Sequence, residues 1–96
     1  MSKLVRDNTI ELKKAEGESP AFHIADDEEY WTKLKAKFAA EVGEFARDES
    51  IVELGDVLEI IDAIIAFKGF DRAKIDEVRR NKTELRGGFG KRIILD

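Results

Sequence analysis

The sequence contains no cysteine, one proline, one histidine, one tryptophan and one tyrosine in 96 residues. Without cysteine, neither a disulfide framework nor a thiolate metal site is available. No stretch is free of charged residues over the length that a membrane-spanning helix needs. The opening residues, MSKLVRDNTI, lack the apolar region of a secretory signal. These absences predict a soluble, cytoplasmic protein that binds no membrane.

Charged residues are abundant and slightly acidic in balance, with 17 basic and 21 acidic side chains and a formal net charge of -4. A net negative charge argues against general binding to a nucleic-acid backbone, so no DNA or RNA polymer is expected as a partner. With 43% hydrophobic residues, the chain has the composition of a globular protein. Its length predicts one domain over residues 1–96, small enough that a partner subunit is expected.

Capping residues and apolar periodicity predict one short helix and three long ones. Asp26 and Asp71 are each positioned to cap a helix, and Ser50-Ile51-Val52-Glu53 has the spacing of a capping box. Glycines follow three of the predicted helix ends. The helices are predicted from about Asn8 to Glu16, from Asp26 to near Asp48, from Ser50 to Lys68, and from Asp71 to just before Gly87.

Two short segments have the composition of strands. Ala21–Ile24 and Arg92–Leu95 contain alternating or β-branched apolar residues, and they are predicted to pair into a small ribbon. The helix after Ser50 is apolar nearly all round, so it should be buried on several sides. The predicted fold is therefore an all-α helical bundle with short terminal β-strands. A homodimer or homotetramer would complete this bundle.

Acidic residues interrupt the apolar surfaces of two consecutive helices. ELGDVLEIID, residues 53–62, carries an acid at every third position, and Glu41 lies within the apolar stripe of the preceding helix. A short turn between antiparallel helices would bring four carboxylates together: Glu41, Glu44, Glu53 and Asp56. Like charges in a partly buried place cannot all stay ionised without a positive charge between them. Oxygen ligands alone favour Mg²⁺, with Mn²⁺ as a substitute.

Several of these acids also have an ordinary structural explanation. Glu53 can be the acidic residue of the capping box, reaching back to the Ser50 amide. Glu44 can pair with Lys37 or Arg47. Glu59 and Asp62, further along the helix that follows Ser50, can form a solvated edge. The two pairs of acids, each spaced by one helical turn on consecutive helices, are harder to explain in this way.

The two pairs, Glu41-Val-Gly-Glu44 and Glu53-Leu-Gly-Asp56, resemble the signature of the all-α nucleoside triphosphate pyrophosphohydrolases. This MazG-like group includes the phosphoribosyl-ATP pyrophosphohydrolases. The opening Lys3-Leu-Val-Arg6-Asp7 and the closing Lys82-Thr-Glu-Leu-Arg86-Gly-Gly-Phe89 also resemble the small members of the group. The resemblance therefore extends over nearly the whole chain, although the eight residues between the two acidic pairs are fewer than in many members.

The resemblance implies Mg²⁺-dependent hydrolysis of a nucleotide between its α and β phosphates, giving a monophosphate and pyrophosphate. Glu41, Glu44, Glu53 and Asp56 match the metal ligands of the group. A carboxylate not fully committed to metal can take a proton from water, and Glu41 is the candidate catalytic base. Cations and one amide are candidates for substrate binding: Lys82, Arg86, Asn81, Arg6 and Lys3.

The sequence leaves open the substrate of such an enzyme and one function of a different class. The nucleotide substrate is either a non-standard or excess triphosphate, as in a house-cleaning enzyme, or phosphoribosyl-ATP, since base recognition depends on a pocket that several helices assemble. From a different class, the chain can be a non-catalytic helical module that senses nucleotides or binds a partner protein. Metal dependence separates an enzyme from such a module.

Overall fold

A computed structural model of the chain describes residues 2–96 and contains four α-helices. They are α1 (Thr9–Ala15), α2 (Asp27–Asp48), α3 (Ile51–Lys68) and α4 (Arg72–Arg86). No strand occurs among these residues, so the predicted all-α class is confirmed. No helix within residues 2–96 is both long enough and apolar enough to cross a membrane.

The predicted terminal β-strands are wrong. Residues 21–24 and 92–95 have no regular secondary structure. Ile24 is 87% exposed and Ile94 is 80% exposed, and His23 bonds through Nε2 to the Glu29 carboxylate at 2.8 Å. A strand needs a partner for its backbone groups, and β-branched composition in a short segment does not supply one.

The chain divides into two compact units, Met1–Ile64 and Ile65–Asp96. The first contains α1, α2 and α3 as far as Ile64; the second contains the last residues of α3, α4 and the C-terminal segment. The prediction of one domain over residues 1–96 stays a prediction.

In the first unit, α2 and α3 form a helical hairpin whose ends are fixed by local hydrogen bonds. The Asp26 carboxylate accepts from the Glu29 amide at 2.9 Å, which caps α2 as predicted. Glu49 ends α2 in the left-handed conformation, with φ at 51°, and donates its amide to the Phe45 carbonyl. Ser50 Oγ then accepts from the Glu53 amide at 3.1 Å and starts α3. Only two residues separate the helices, so the acids near this turn must lie close together.

Deep burial is scarce along the described chain. Leu34 on α2 is fully buried, and Glu41 on the same helix is 7% exposed. The apolar residues of α3 are half-buried or exposed, including Leu54 and Leu58. One copy of the chain therefore does not supply the all-round burial that the composition of α3 predicts.

In the second unit, the end of α3 is stopped by Gly69, whose φ of 67° is accessible to glycine without steric cost. The Phe70 amide donates to the Ile65 carbonyl and the Gly69 amide to the Ala66 carbonyl, which is the Schellman arrangement. Asp71 caps α4 by accepting from the Ala73 amide at 2.9 Å. The helix is exposed along its length except at Ile75, which is half-buried.

Candidate metal centre

Three of the four predicted carboxylates converge in the first unit. Glu41 on α2 and Glu53 and Asp56 on α3 each place an oxygen atom within 4.8 Å of the others. The hairpin accounts for this geometry. Glu53 and Asp56 lie one turn apart on the same face of α3, and the short connection brings this face close to Glu41 on α2. The structure thus brings together an all-oxygen ligand set of the type that the sequence predicts.

Glu41 is the most buried member of this carboxylate cluster, and its two oxygens have different surroundings. Lys37, one turn earlier on α2, lies 3.2 Å from Oε1. Oε2 is buried and has no hydrogen-bond partner. An unpartnered carboxylate oxygen away from water is costly, and a ligand that it could bind would remove that cost.

Asp56 has a cation of its own. Arg6, in the segment before α1, places Nη2 2.7 Å from Asp56 Oδ1 and Nη1 3.8 Å from Glu59 Oε1. Both side chains of the shorter pair are partly exposed, so this contact contributes little to stability. Arg6 therefore pairs with one of the three converging carboxylates.

Glu53 lies against a second carboxylate, Glu44. Burial raises the pKa of Glu53, and the neighbouring charge of Glu44 and a hydrogen bond to Glu44 raise it further. Glu53 Oε2 is buried with no hydrogen-bond partner, and the Glu53 amide donates to Ser50 Oγ, which is one half of the predicted capping box.

The raised pKa of Glu53 predicts a pH dependence of stability. A group that holds its proton more tightly when folded stabilises the fold at pH values below its unfolded pKa, and this contribution is lost as pH rises through the folded pKa. Glu53→Gln removes that loss. Urea unfolding from acid to neutral pH should therefore show the variant gaining stability relative to the unsubstituted protein as pH rises above the ordinary glutamate range. A difference in stability that stays constant with pH would contradict the shift.

The residues of the cluster suit a hard divalent cation. The side chains offer carboxylate oxygens only, which Mg²⁺ and Mn²⁺ prefer. Two oxygens of these side chains, Glu41 Oε2 and Glu53 Oε2, are buried without a hydrogen-bond partner. A cation bound by either oxygen would supply the partner that this oxygen lacks. Ligating carboxylates must be ionised, so metal binding would oppose the raised pKa of Glu53.

A cavity of about 640 Å³ opens beside the cluster in the same unit. Glu41 and Asp56 form part of its wall, together with Arg6, Lys37 and Glu59. The rest of the wall is mainly apolar and comes from the segment before α1, from α1 itself and from α2 and α3. A volume of this size is in the range of small-molecule sites.

The remaining predicted site residues are not part of the cluster. Glu44 lies beside Glu53 and not among the three converging carboxylates. Lys3 is exposed in the N-terminal segment. Asn81, Lys82 and Arg86 are exposed on α4, in the second unit. Their predicted role in substrate binding stays a prediction.

Sequence reasoning missed the partner of Glu41. The sequence offers Lys37 as a partner for Glu44, but Lys37 pairs with Glu41. The four-residue spacing of these two residues on one helix is the signal for this pair. Arg47, the other candidate partner of Glu44, pairs with its neighbour Asp48 at 3.2 Å. The contact of Arg6 with Asp56 spans 50 residues in sequence, so no local pattern could have indicated it.

Comparisons with known proteins place the chain in no family. No family model and no solved structure matches it. A protein of Mycolicibacterium smegmatis described as uncharacterized is 46% identical over 44 residues. That match covers 46% of this chain and 45% of the relative, so the chain spans about half the length of the curated protein that it matches.

Proposed function

We propose that the protein is a Mg²⁺-dependent nucleoside triphosphate pyrophosphohydrolase, cleaving between the α and β phosphates to give a monophosphate and pyrophosphate. The observation that carries the proposal is the convergence of Glu41, Glu53 and Asp56 within 4.8 Å beside a cavity of ligand size. The spacing of these acids in the sequence, with its resemblance to the MazG-like group, supports the same reaction. Mn²⁺ is expected to substitute for Mg²⁺.

In this proposal, Glu41, Glu53 and Asp56 hold the metal, and Glu44 supports the site through its contact with Glu53. When bound, the metal neutralises phosphate charge and lowers the pKa of a water molecule. Lys37 fixes one Glu41 oxygen, which leaves the other directed to metal or water. Glu41 is therefore retained as the candidate base that takes the proton from water.

The cations near the acids have a second proposed role in binding phosphate. Arg6 and Lys37 both line the cavity, so a nucleotide entering it meets two positive groups beside the carboxylates. A guanidinium matches phosphate oxygens with two parallel hydrogen bonds. Lys3, Asn81, Lys82 and Arg86 are kept as candidates for substrate contacts.

We propose that the active form is a homodimer or homotetramer in the cytoplasm. The support is the exposure of apolar side chains on both helices of the hairpin, Val42 on α2 and Leu54 and Leu58 on α3. A second copy of the chain would bury such a surface and provide the partner that α3 lacks. Sedimentation equilibrium would measure the mass of the assembly.

The test of the proposed reaction is product analysis with Mg²⁺ and a panel of canonical, deoxy and modified triphosphates, with phosphoribosyl-ATP included. Monophosphate plus pyrophosphate, absent with Asp56→Asn, is the expected result. Diphosphate plus phosphate would contradict the cleavage position. Turnover of phosphoribosyl-ATP alone would assign the substrate to that alternative.

A non-catalytic nucleotide-sensing or partner-binding module is the second candidate. It is favoured by one observation: Lys37 and Arg6 already neutralise Glu41 and Asp56. A module of this kind would keep these ion pairs permanently and would show no dependence on divalent cations. Nucleotide binding without turnover, at equal affinity with and without Mg²⁺, would support this reading.

The contact between Arg6 and Asp56 makes a prediction about metal affinity. If the guanidinium competes with the metal, Arg6→Gln should bind Mn²⁺ about two- to fivefold more tightly. This factor corresponds to the free energy of a partly exposed ion pair. Electron paramagnetic resonance of free Mn²⁺ measures this affinity directly. Arg79→Gln is the control, because it removes the same charge from another ion pair, with Asp76 on α4. Weaker Mn²⁺ binding in Arg6→Gln alone would contradict competition and make Arg6 a group that positions Asp56.

A further inference from the structure

The cavity beside the cluster has two chemically different parts. One part contains Glu41, Asp56 and the cations paired with them. The other is built from apolar and aromatic side chains of the N-terminal segment, α1, α2 and α3: Leu4, Leu12, Tyr30, Leu34, Ile60 and Ala63. A matching ligand would have an apolar body at one end and a group that interacts with metal or cations at the other.

Asn8 adds a polar group to the wall of this cavity. It occupies the N-cap position of α1, where an asparagine side chain ordinarily accepts a hydrogen bond from the helix. Here the side chain makes no capping bond, with φ at -94° and ψ at 3°. Its carboxamide therefore keeps a donor and an acceptor side by side for another partner.

We propose that the apolar part of this cavity binds the nucleobase of the substrate, and that Asn8 contacts the polar edge of the base. A nucleobase has apolar faces, which suit the surrounding aliphatic and aromatic side chains, and an edge of donors and acceptors. An asparagine amide can pair with adjacent donor and acceptor groups on such an edge, as it does with adenine. The base preference is then set by the N-terminal segment. This inference rests on the proposed function, because it assigns the phosphates to the acidic part.

The contribution of the N-terminal segment distinguishes this subsite from the metal centre. Residues 4–9 and Leu12 line the cavity, whereas the three converging carboxylates all lie on α2 and α3. Substitutions in the apolar part should therefore change the affinity for the base and leave Mn²⁺ binding unaltered. Substitutions of the three converging carboxylates should weaken Mn²⁺ binding and leave the affinity for the base unaltered.

The test is binding of free nucleosides, which carry no phosphate and need no metal. Adenosine, guanosine, cytidine and uridine are titrated into the complete chain, and NMR shifts of methyl groups report binding. Ala63→Phe places a ring in the cavity and should weaken nucleoside binding at least tenfold. Ala66→Phe is the matched control, since Ala66 is exposed on the same helix and does not line the cavity. Asn8→Ala should weaken binding of the preferred nucleoside about two- to tenfold, the effect of one or two lost hydrogen bonds.

Circular dichroism checks that Ala63→Phe is folded, and Asn8→Ala tests the subsite independently because its side chain makes no capping bond. Nucleoside binding that neither variant weakens would overturn the subsite. Hydrolysis of triphosphates in a protein that binds no nucleoside would also overturn it while leaving the proposed function intact. Loss of nucleoside binding in both variants, with Mn²⁺ affinity retained, would support the subsite even if no triphosphate were hydrolysed.

Discussion

Glu41→Gln is expected to reduce triphosphate hydrolysis at least a thousandfold while the protein remains folded. The substitution keeps the size of the side chain and removes its negative charge. Because Glu41 provides a buried oxygen to the carboxylate cluster, the variant should lose both a proposed metal ligand and the candidate base. Steady-state kinetics at saturating Mg²⁺ and a Mn²⁺ titration by electron paramagnetic resonance measure the two losses separately.

The matched control is Glu28→Gln, an exposed glutamate on the same helix. It removes an identical charge far from the turn that joins α2 and α3, so turnover should stay within about twofold of the unsubstituted protein. Equal activity of Glu41→Gln and Glu28→Gln would remove Glu41 from the site. If Glu41→Gln lost activity but bound Mn²⁺ normally, its role would be that of a base and not of a ligand.

Leu34→Ala is expected to lower the free energy of unfolding by about 2–5 kcal/mol. Leu34 is the fully buried large side chain of the described residues, and it also lines the cavity beside the cluster. Its truncation removes apolar contact in a small unit that has little other deep burial, and total stabilities of small proteins are only about 5–15 kcal/mol. The measurement is urea denaturation monitored by circular dichroism.

Leu85→Ala is the control for this loss, because Leu85 is 82% exposed on α4. Its effect should stay within about 0.5 kcal/mol, as for most surface substitutions. A loss below about 1 kcal/mol for Leu34→Ala would mean that the surroundings collapse onto the vacated space. The account of Leu34 as the core of its unit would then be wrong.

The helices could be predicted from the sequence because their ends are determined locally. Asp26, Ser50 and Asp71 accept hydrogen bonds from amides two or three residues away, and Gly69 supplies a positive φ. Strand pairing at residues 21–24 and 92–95 was mispredicted because it depends on contacts distant in sequence, which composition does not specify.

The carboxylate cluster was predictable for a related reason. Each pair of acids is spaced by one helical turn, and a short turn joins the two helices. This arrangement brings acids of the two pairs close together in space. What compensates the acids was not predictable, because Arg6 reaches Asp56 from a segment 50 residues away in sequence. The pKa of Glu53 is raised by burial and by the neighbouring charge of Glu44, and this burial depends on packing that the local sequence does not specify.

The proposed metal centre is the central claim, and crystals soaked in Mn²⁺ test it most directly. An anomalous difference map should show a peak at ligand distance, about 2.0–2.3 Å, from oxygens of Glu41, Glu53 and Asp56, with Arg6 moved away from Asp56. A map with no peak there, and with the 2.7 Å contact between Arg6 and Asp56 intact, would contradict the proposal. The acids would then be compensated by the ion pairs with Lys37 and Arg6.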